Sequence, residues 1–120
     1  MSKNQNEAAA ATISISVKQD GKLLEMPPAA AIELTRVLDA LADPVRLEIV
    51  RRLAADGESA CGAFPLPVSD ATRSHHLKVL RAAGVTATRV AGNKRFVSLR
   101  SGELGRRFPG LLESVLAAVR

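Results

Sequence analysis

The run Ser69-Asp-Ala-Thr-Arg-Ser-His-His-Leu-Lys-Val-Leu-Arg-Ala-Ala-Gly84 constrains this chain more than any other, because a helix sorts its residues onto two coherent faces. At about 100° per residue, Arg73, His76, Leu77, Leu80 and Ala83 fall on one side. Ala71, Ser74, His75 and Lys78 fall on the other. The first side is mostly apolar and can dock on a core. The second is small, polar and basic, with hydrogen-bonding groups on short side chains, which suits the edges of base pairs in a major groove. Ser69 can cap this helix and Gly84 can end it. Two strand-like segments follow, Val85 to Ala91 and Arg95 to Arg100, joined by Gly92-Asn93, whose residue types favour a tight hairpin turn. A helix followed at once by a basic hairpin is the order of a winged helix.

Upstream, residues 1–28 read as a tail and a possible β-hairpin arm, and residues 29–120 as one domain. Ile13, Ile15 and Val17 alternate with polar residues, a period-two strand signal, and a turn at Asp20-Gly21 would return the chain as a second strand over Leu23 to Met26. Pro27-Pro28 closes the arm. A helix is expected from about Ala29 to Ala42, with Leu34, Val37, Leu38 and Leu41 as its stripe and Ile32 off it. Asp43-Pro44 restarts the chain as a second helix to about Ala55, since the carboxylate can accept orphan amide protons and proline fits the first helical position. That helix should turn Leu47, Val50 and Leu53 inward and Arg46, Arg51 and Arg52 outward. Cys61 to Phe64 is a short turn or single helical turn, cut off by Pro65 and Pro67. Ser101 opens another short helical turn, and Pro109 starts a last helix to about Val119. The fold class expected is mainly α with a small β-hairpin wing, a winged helix-turn-helix, homodimeric through its first and last helices. The interface would be formed by Leu34, Val37, Leu38, Leu111, Leu112, Val115, Leu116 and Val119, because so wide an apolar face on a terminal helix calls for a partner.

Charge sharpens this reading. The net charge is +5, and residues 69–100 hold seven basic side chains against the single acid Asp70, so the excess sits in the helix and hairpin. A solvated basic face is the plainer explanation. Its coincidence with a helix and hairpin favours a phosphate-binding surface. No apolar run approaches the ~18 residues that cross a bilayer, and the N-terminus lacks the pattern of a secretory signal. Cys61 is the only cysteine, which excludes an intrachain disulfide and fits a reducing, cytoplasmic setting.

Ala40-Leu-Ala-Asp-Pro-Val-Arg-Leu-Glu-Ile-Val50 and Ser74-His-His-Leu-Lys-Val-Leu-Arg-Ala-Ala-Gly-Val85 resemble the start and the recognition helix of the ArsR/SmtB family of bacterial repressors. The likeness covers roughly residues 30–100. It implies a homodimeric winged-helix transcription factor, usually a repressor, that binds an inverted-repeat operator in double-stranded DNA. The family's contact positions fall on Asp70, Ala71, Ser74 and His75, with the wing tip on phosphates. With their neighbours, the DNA-binding set is Ser69, Asp70, Ala71, Thr72, Arg73, Ser74, His75, Lys78, Arg89, Asn93, Lys94 and Arg95. Arg73 departs from the pattern, standing where an apolar residue is usual: it either snorkels outward to a phosphate or pairs with an acid such as Asp70 three residues earlier, the pairing being the favoured reading.

Members of this family commonly release DNA on binding a metal ion or another signal. Here the region matching the Cys-x-Cys metal site offers Cys61 alone, and the terminal segment offers Glu103 and Glu113 without histidine. A tight zinc site wants about four nitrogen or sulfur ligands, so no metal and no cofactor is expected and the effector stays unidentified. His75 and His76 are adjacent, leave a helix about 100° apart and cannot easily chelate one ion. Ser74 beside His75 has no paired carboxylate, and no phosphate loop or cofactor motif is present, so the chain does not read as an enzyme. Cys61 is most simply a small buried hydrophobe. The sharper alternatives are a redox-responsive regulator acting through Cys61, by sulfenic acid or an intersubunit disulfide, and a winged-helix module that docks an acidic protein.

Overall fold

Two local devices at Asp43-Pro44 and Ser69 set the helices that carry everything else. Asp43 holds extended backbone, and its Oδ2 accepts from the amides of Val45 at 2.9 Å and Arg46 at 3.1 Å, so the helix beginning at Pro44 starts with its orphan donors satisfied. Ser69 does the same further on, its Oγ accepting from the Thr72 amide at 3.2 Å.

The structure is a computed structural model, and it describes residues 21–119. In chain order it contains β1 (Lys22–Leu23), a 3-10 turn (Ala29–Ala31), α1 (Leu34–Leu41), α2 (Pro44–Asp56), β2 (Ser59–Ala60), a second 3-10 turn (Cys61–Ala63), α3 (Asp70–Ala83), β3 (Thr86–Ala91), β4 (Lys94–Leu99), α4 (Ser101–Arg107) and α5 (Leu111–Val119). The strands form one antiparallel sheet in the order β1-β3-β4-β2. Helices around a small sheet with a protruding β3–β4 hairpin make this a winged helix-turn-helix. The core is a single cluster built from α1, α2 and α3 with Val85, Val97, Leu104 and Leu112.

The hairpin register follows from its turn. Ala91 pairs with Lys94 across Gly92-Asn93, and the ladder runs without slippage to Thr86 opposite Leu99. Gly92 has φ 64°, the conformation that lets a two-residue loop match the twist of its strands. Thr86, Thr88, Val97 and Leu99 line the inner face, with Thr86, Thr88 and Val97 fully buried.

Several expectations are corrected. The first helix is not continuous from Ala29 to Ala42: a 3-10 turn ends at Ala31, Ile32 is extended, and α1 begins at Leu34. Ile32 is among the most deeply buried side chains, because Gly84, left-handed at φ 89°, has no Cβ and admits it. A Cβ there would lie 2.6 Å from Ile32 Cγ1. The stripe of α1 also splits. Val37, Ala40 and Leu41 point into the core, whereas Leu34 and Leu38 are exposed. Val37 is therefore a core residue and not a dimer contact, and Leu112 is likewise buried within the single chain. In α2 the buried residues are Ile49, Val50 and Leu53, with Leu47 only half-buried.

The expected strand over Leu23 to Met26 is only β1, and it pairs with β3 of the wing. Its proposed partner over Ile13 to Val17 lies outside the described residues. The chain after β1 is stitched to the domain. The buried Arg100 donates to the Pro27 carbonyl at 2.7 Å and pairs with Glu103, and Arg107 donates to the Ile32 carbonyl. The short segment β2 adds to β4, a pairing too brief for periodicity to reveal. The last helix starts at Leu111 rather than Pro109, following the seven-residue α4.

Candidate nucleic-acid interface

α3 presents the two faces its sequence implies. Leu77, Leu80 and Ala83 are buried, and Ala71, Ser74, His75 and Lys78 are exposed. Gly84 ends the helix in left-handed conformation, with its amide reaching the Arg81 and Leu80 carbonyls. Asp70 lies in the first turn, where a carboxylate complements the amide-rich end.

The site residues divide by what already occupies them. Ser69 and Thr72 serve the cap: besides accepting from the Thr72 amide, the Ser69 hydroxyl donates to Thr72 Oγ1 at 3.0 Å. Arg73 turns back and pairs with Asp70 at 3.0 Å, the arrangement its anomalous place on the docking side suggests. Arg89 does not reach the outer rim as a phosphate donor. Its guanidinium pairs with Glu58 at 2.9 Å and stacks over Phe96 at 4.6 Å, so in this structure it braces the outer face of the sheet. That correction, with Arg100 and Glu103 above, shrinks the basic surface read from sequence. Among the described residues, Lys78, Arg81, Lys94 and Arg95 form no ion pair. Gly92, Asn93, Lys94 and Arg95 are exposed around the wing tip. One exposed ridge on α3 and one on the wing therefore carry short polar groups, basic groups and uncompensated cations, which can meet base edges and phosphates respectively.

A supporting residue that the sequence reading turned outward is Arg46. Its Nε donates to the Ala40 carbonyl at 2.6 Å and its Nη2 to the Asp39 carbonyl at 3.4 Å, closing the end of α1. Nη1 stands 3.1 Å from His76 Nδ1 on α3. Since a guanidinium only donates, Nδ1 is the acceptor in this contact. Asp43 sits 3.9 Å from the same ring. The Asp-Pro-Val-Arg stretch thus ties α1, α2 and the docking side of α3 at one point. Hydrogen bonding to the Arg46 amide, with help from the Arg46 charge and the Val45 amide, holds the Asp43 carboxyl below its ordinary value. The Arg46-to-His76 contact spans thirty positions, beyond the reach of any local pattern.

Cys61 is half-buried against the core. Burial pushes its thiol up, partly offset by the guanidiniums of Arg95, Arg73 and Arg81. A raised thiol holds little thiolate at neutral pH, which weighs against a reactive redox role. Among the described residues no three His, Cys, Asp or Glu side chains converge on a common point. No helix among them is long and apolar enough to cross a membrane.

The family model of a helix-turn-helix domain matches residues 41–89, from the end of α1 into β3. An uncharacterized HTH-type transcriptional regulator of Bacillus subtilis is 39% identical over 83 residues, covering 67% of this chain and 83% of the relative. The arsenical resistance operon repressor of Staphylococcus xylosus is 38% identical over 68 residues, 56% of this chain and 65% of the relative. The chain belongs to the ArsR/SmtB family. An HTH-type transcriptional regulator of Mycobacterium tuberculosis is 47% identical over 66 residues, 53% of this chain and 61% of the relative. This ArsR/SmtB member is accordingly a DNA-binding transcriptional regulator and not an enzyme. The match to the family model includes both the Asp43-to-Arg46 junction and the whole of α3.

Proposed function

We propose that the protein acts as a homodimeric repressor that occupies an inverted-repeat operator and leaves it in response to a signal. The observation that carries this reading is the exposed ridge of Ala71, Ser74, His75 and Lys78 on α3, flanked by the unpaired cations Lys94 and Arg95 on the wing. In this reading Ser74 and His75 contact base edges, and Ala71 approaches a thymine methyl. Lys78, Asn93, Lys94 and Arg95 hold phosphates, while Ser69, Asp70, Thr72 and Arg73 shape the helix end that enters the groove. A likeness to a protein named as an operon repressor supports repression over activation.

Dimerisation would use the two apolar faces the single chain leaves uncovered. Leu34 and Leu38 are 44% and 45% exposed, one turn apart on α1. Leu111, Val115, Leu116 and Val119 are half-buried on α5. Two copies related by a two-fold would set their α3 helices on half-sites about 34–36 Å apart on one face of the duplex. The test is light scattering with gel-shift titration of the protein against its own upstream DNA and a shuffled duplex at physiological salt. A dimer that prefers the upstream repeat supports the proposal. Equal affinity for both duplexes, or a Lys94→Ala/Arg95→Ala variant that binds DNA unchanged, refutes it and favours docking of an acidic protein.

A further inference from the structure

Behind the reading ridge lies a small cleft where α3, the inner face of the wing and the Cys61 turn meet. It has a volume of about 90 Å³ and is lined by Cys61, Arg73, Ser74, Arg81, Thr88 and Arg95, with Leu77 at its wall. Arg73, Leu77 and Arg81 recur every four residues along α3, so both arginines border the same groove of the helix. Arg95 pairs with Val90 and shares the phase of Val97, whose partner is Thr88, so it leaves β4 on the inner side of the sheet.

The charges in this cleft do not balance. Three guanidiniums line it, and among the described residues the one carboxylate paired with any of them is Asp70, on Arg73. Arg81 and Arg95 form no ion pair among the described residues. Thr88 is 2% exposed, yet its Oγ1 has no hydrogen-bond partner, so its hydroxyl is free to donate into a site dominated by guanidinium donors. Cys61 feels all three arginines, which places their positive charge around one point, and its raised thiol brings no compensating negative charge. Cationic donors in excess of acceptors in a confined space call for a compact ligand that carries negative charge and several acceptor oxygens. Since about 10–15 Å³ of such space suffices for one water, the cleft has room for several waters or one small ion.

We propose that this cleft is a binding site for a tetrahedral oxyanion of the phosphate class, held by Arg73, Arg81 and Arg95 between the recognition helix and the wing. Either a free ion or a phosphodiester of bound DNA supplies that chemistry. A free ion would clamp α3 to β4 and withdraw Arg95 from the DNA face. A DNA phosphate would extend the interface inward from the wing.

The site is tested on the DNA-free protein with inorganic phosphate as the probe, against chloride at matched ionic strength. A free-ion site gives saturable thermal stabilisation by phosphate alone. Arg81→Met, which lies off the reading ridge, then weakens phosphate binding roughly ten- to hundredfold, as expected for one charge-assisted hydrogen bond. Arg95→Met at an exposed position reproduces the loss without risk to the fold, and Arg81→Lys restores part of it. If phosphate and chloride act alike but Arg81→Met lowers the salt slope of DNA binding by about 1 per subunit, the site stands with a DNA phosphate as its occupant. Phosphate acting like chloride together with an unchanged DNA salt slope overturns the site. The first arm needs no DNA, so failure of operator binding would leave it intact.

Discussion

Truncating Lys78 and Lys94 together isolates the electrostatic part of DNA binding. Both are exposed, neither forms an ion pair among the described residues, and they sit on the two elements expected to flank the duplex backbone. Their removal should change stability by no more than about 0.5 kcal/mol. Each cation that neutralises a phosphate contributes about 0.9 to the slope of log affinity against log salt. A two-fold complex loses four such contacts in Lys78→Ala/Lys94→Ala, so the slope should fall by about 3.6. Across a fourfold rise in salt the native protein would then lose roughly 150-fold more affinity than the variant. Fluorescence anisotropy with a labelled upstream duplex between about 50 and 200 mM salt measures both slopes, and circular dichroism confirms that the variant is folded. An unchanged slope refutes phosphate contact by these residues. A fall of about 1.8 instead refutes the count of four contacts.

Other perturbations test the scaffold. Arg46→Met leaves the Ala40 carbonyl and His76 Nδ1 without their donor, and should cost about 2–3 kcal/mol and lower Tm by roughly 10–20 °C. Gly84→Ala combines a left-handed backbone with a Cβ 2.6 Å from Ile32 Cγ1, and should shift urea unfolding by about 2–4 kcal/mol. Asp43 and Glu48 both have carboxyls lowered from ordinary values of 3.8 and 4.5, through the Arg46 amide and the Arg51 side chain respectively. Their stabilisation is complete above those values and is lost as pH falls through the depressed native ones, so stability should drop on acidification below about pH 4.5. Asp43→Asn keeps a capping side chain but no titrating charge, and should flatten that drop in denaturant titrations at successive pH values.

The parts legible in the sequence are those fixed by local chemistry. Ser69 and Gly84 bound α3 because capping and left-handed termination act within one turn, and Gly92-Asn93 sets the wing register through its own backbone. The Arg73 pairing with Asp70 was readable for the same reason, being three residues apart on a helix. Features decided by distant partners were not. Ile32 is buried because a glycine 52 positions later leaves room for it. Arg89 is claimed by Glu58, 31 positions earlier, and Arg46 reaches His76 across 30. Amphipathic spacing could not tell which half of the α1 stripe faces the core, since Val37 and Leu38 are adjacent and equally apolar. Strands of two residues, as in β1 and β2, carry no period at all.

The claim that α3 and the wing tip form the DNA-reading surface is tested most directly by titrating isotope-labelled protein with its upstream duplex and following backbone amide signals. The account predicts that the largest shifts gather at Ala71, Ser74, His75, Lys78, Asn93 and Lys94. Shifts centred on α5 and the exposed leucines of α1, with α3 and the wing unmoved, would contradict it.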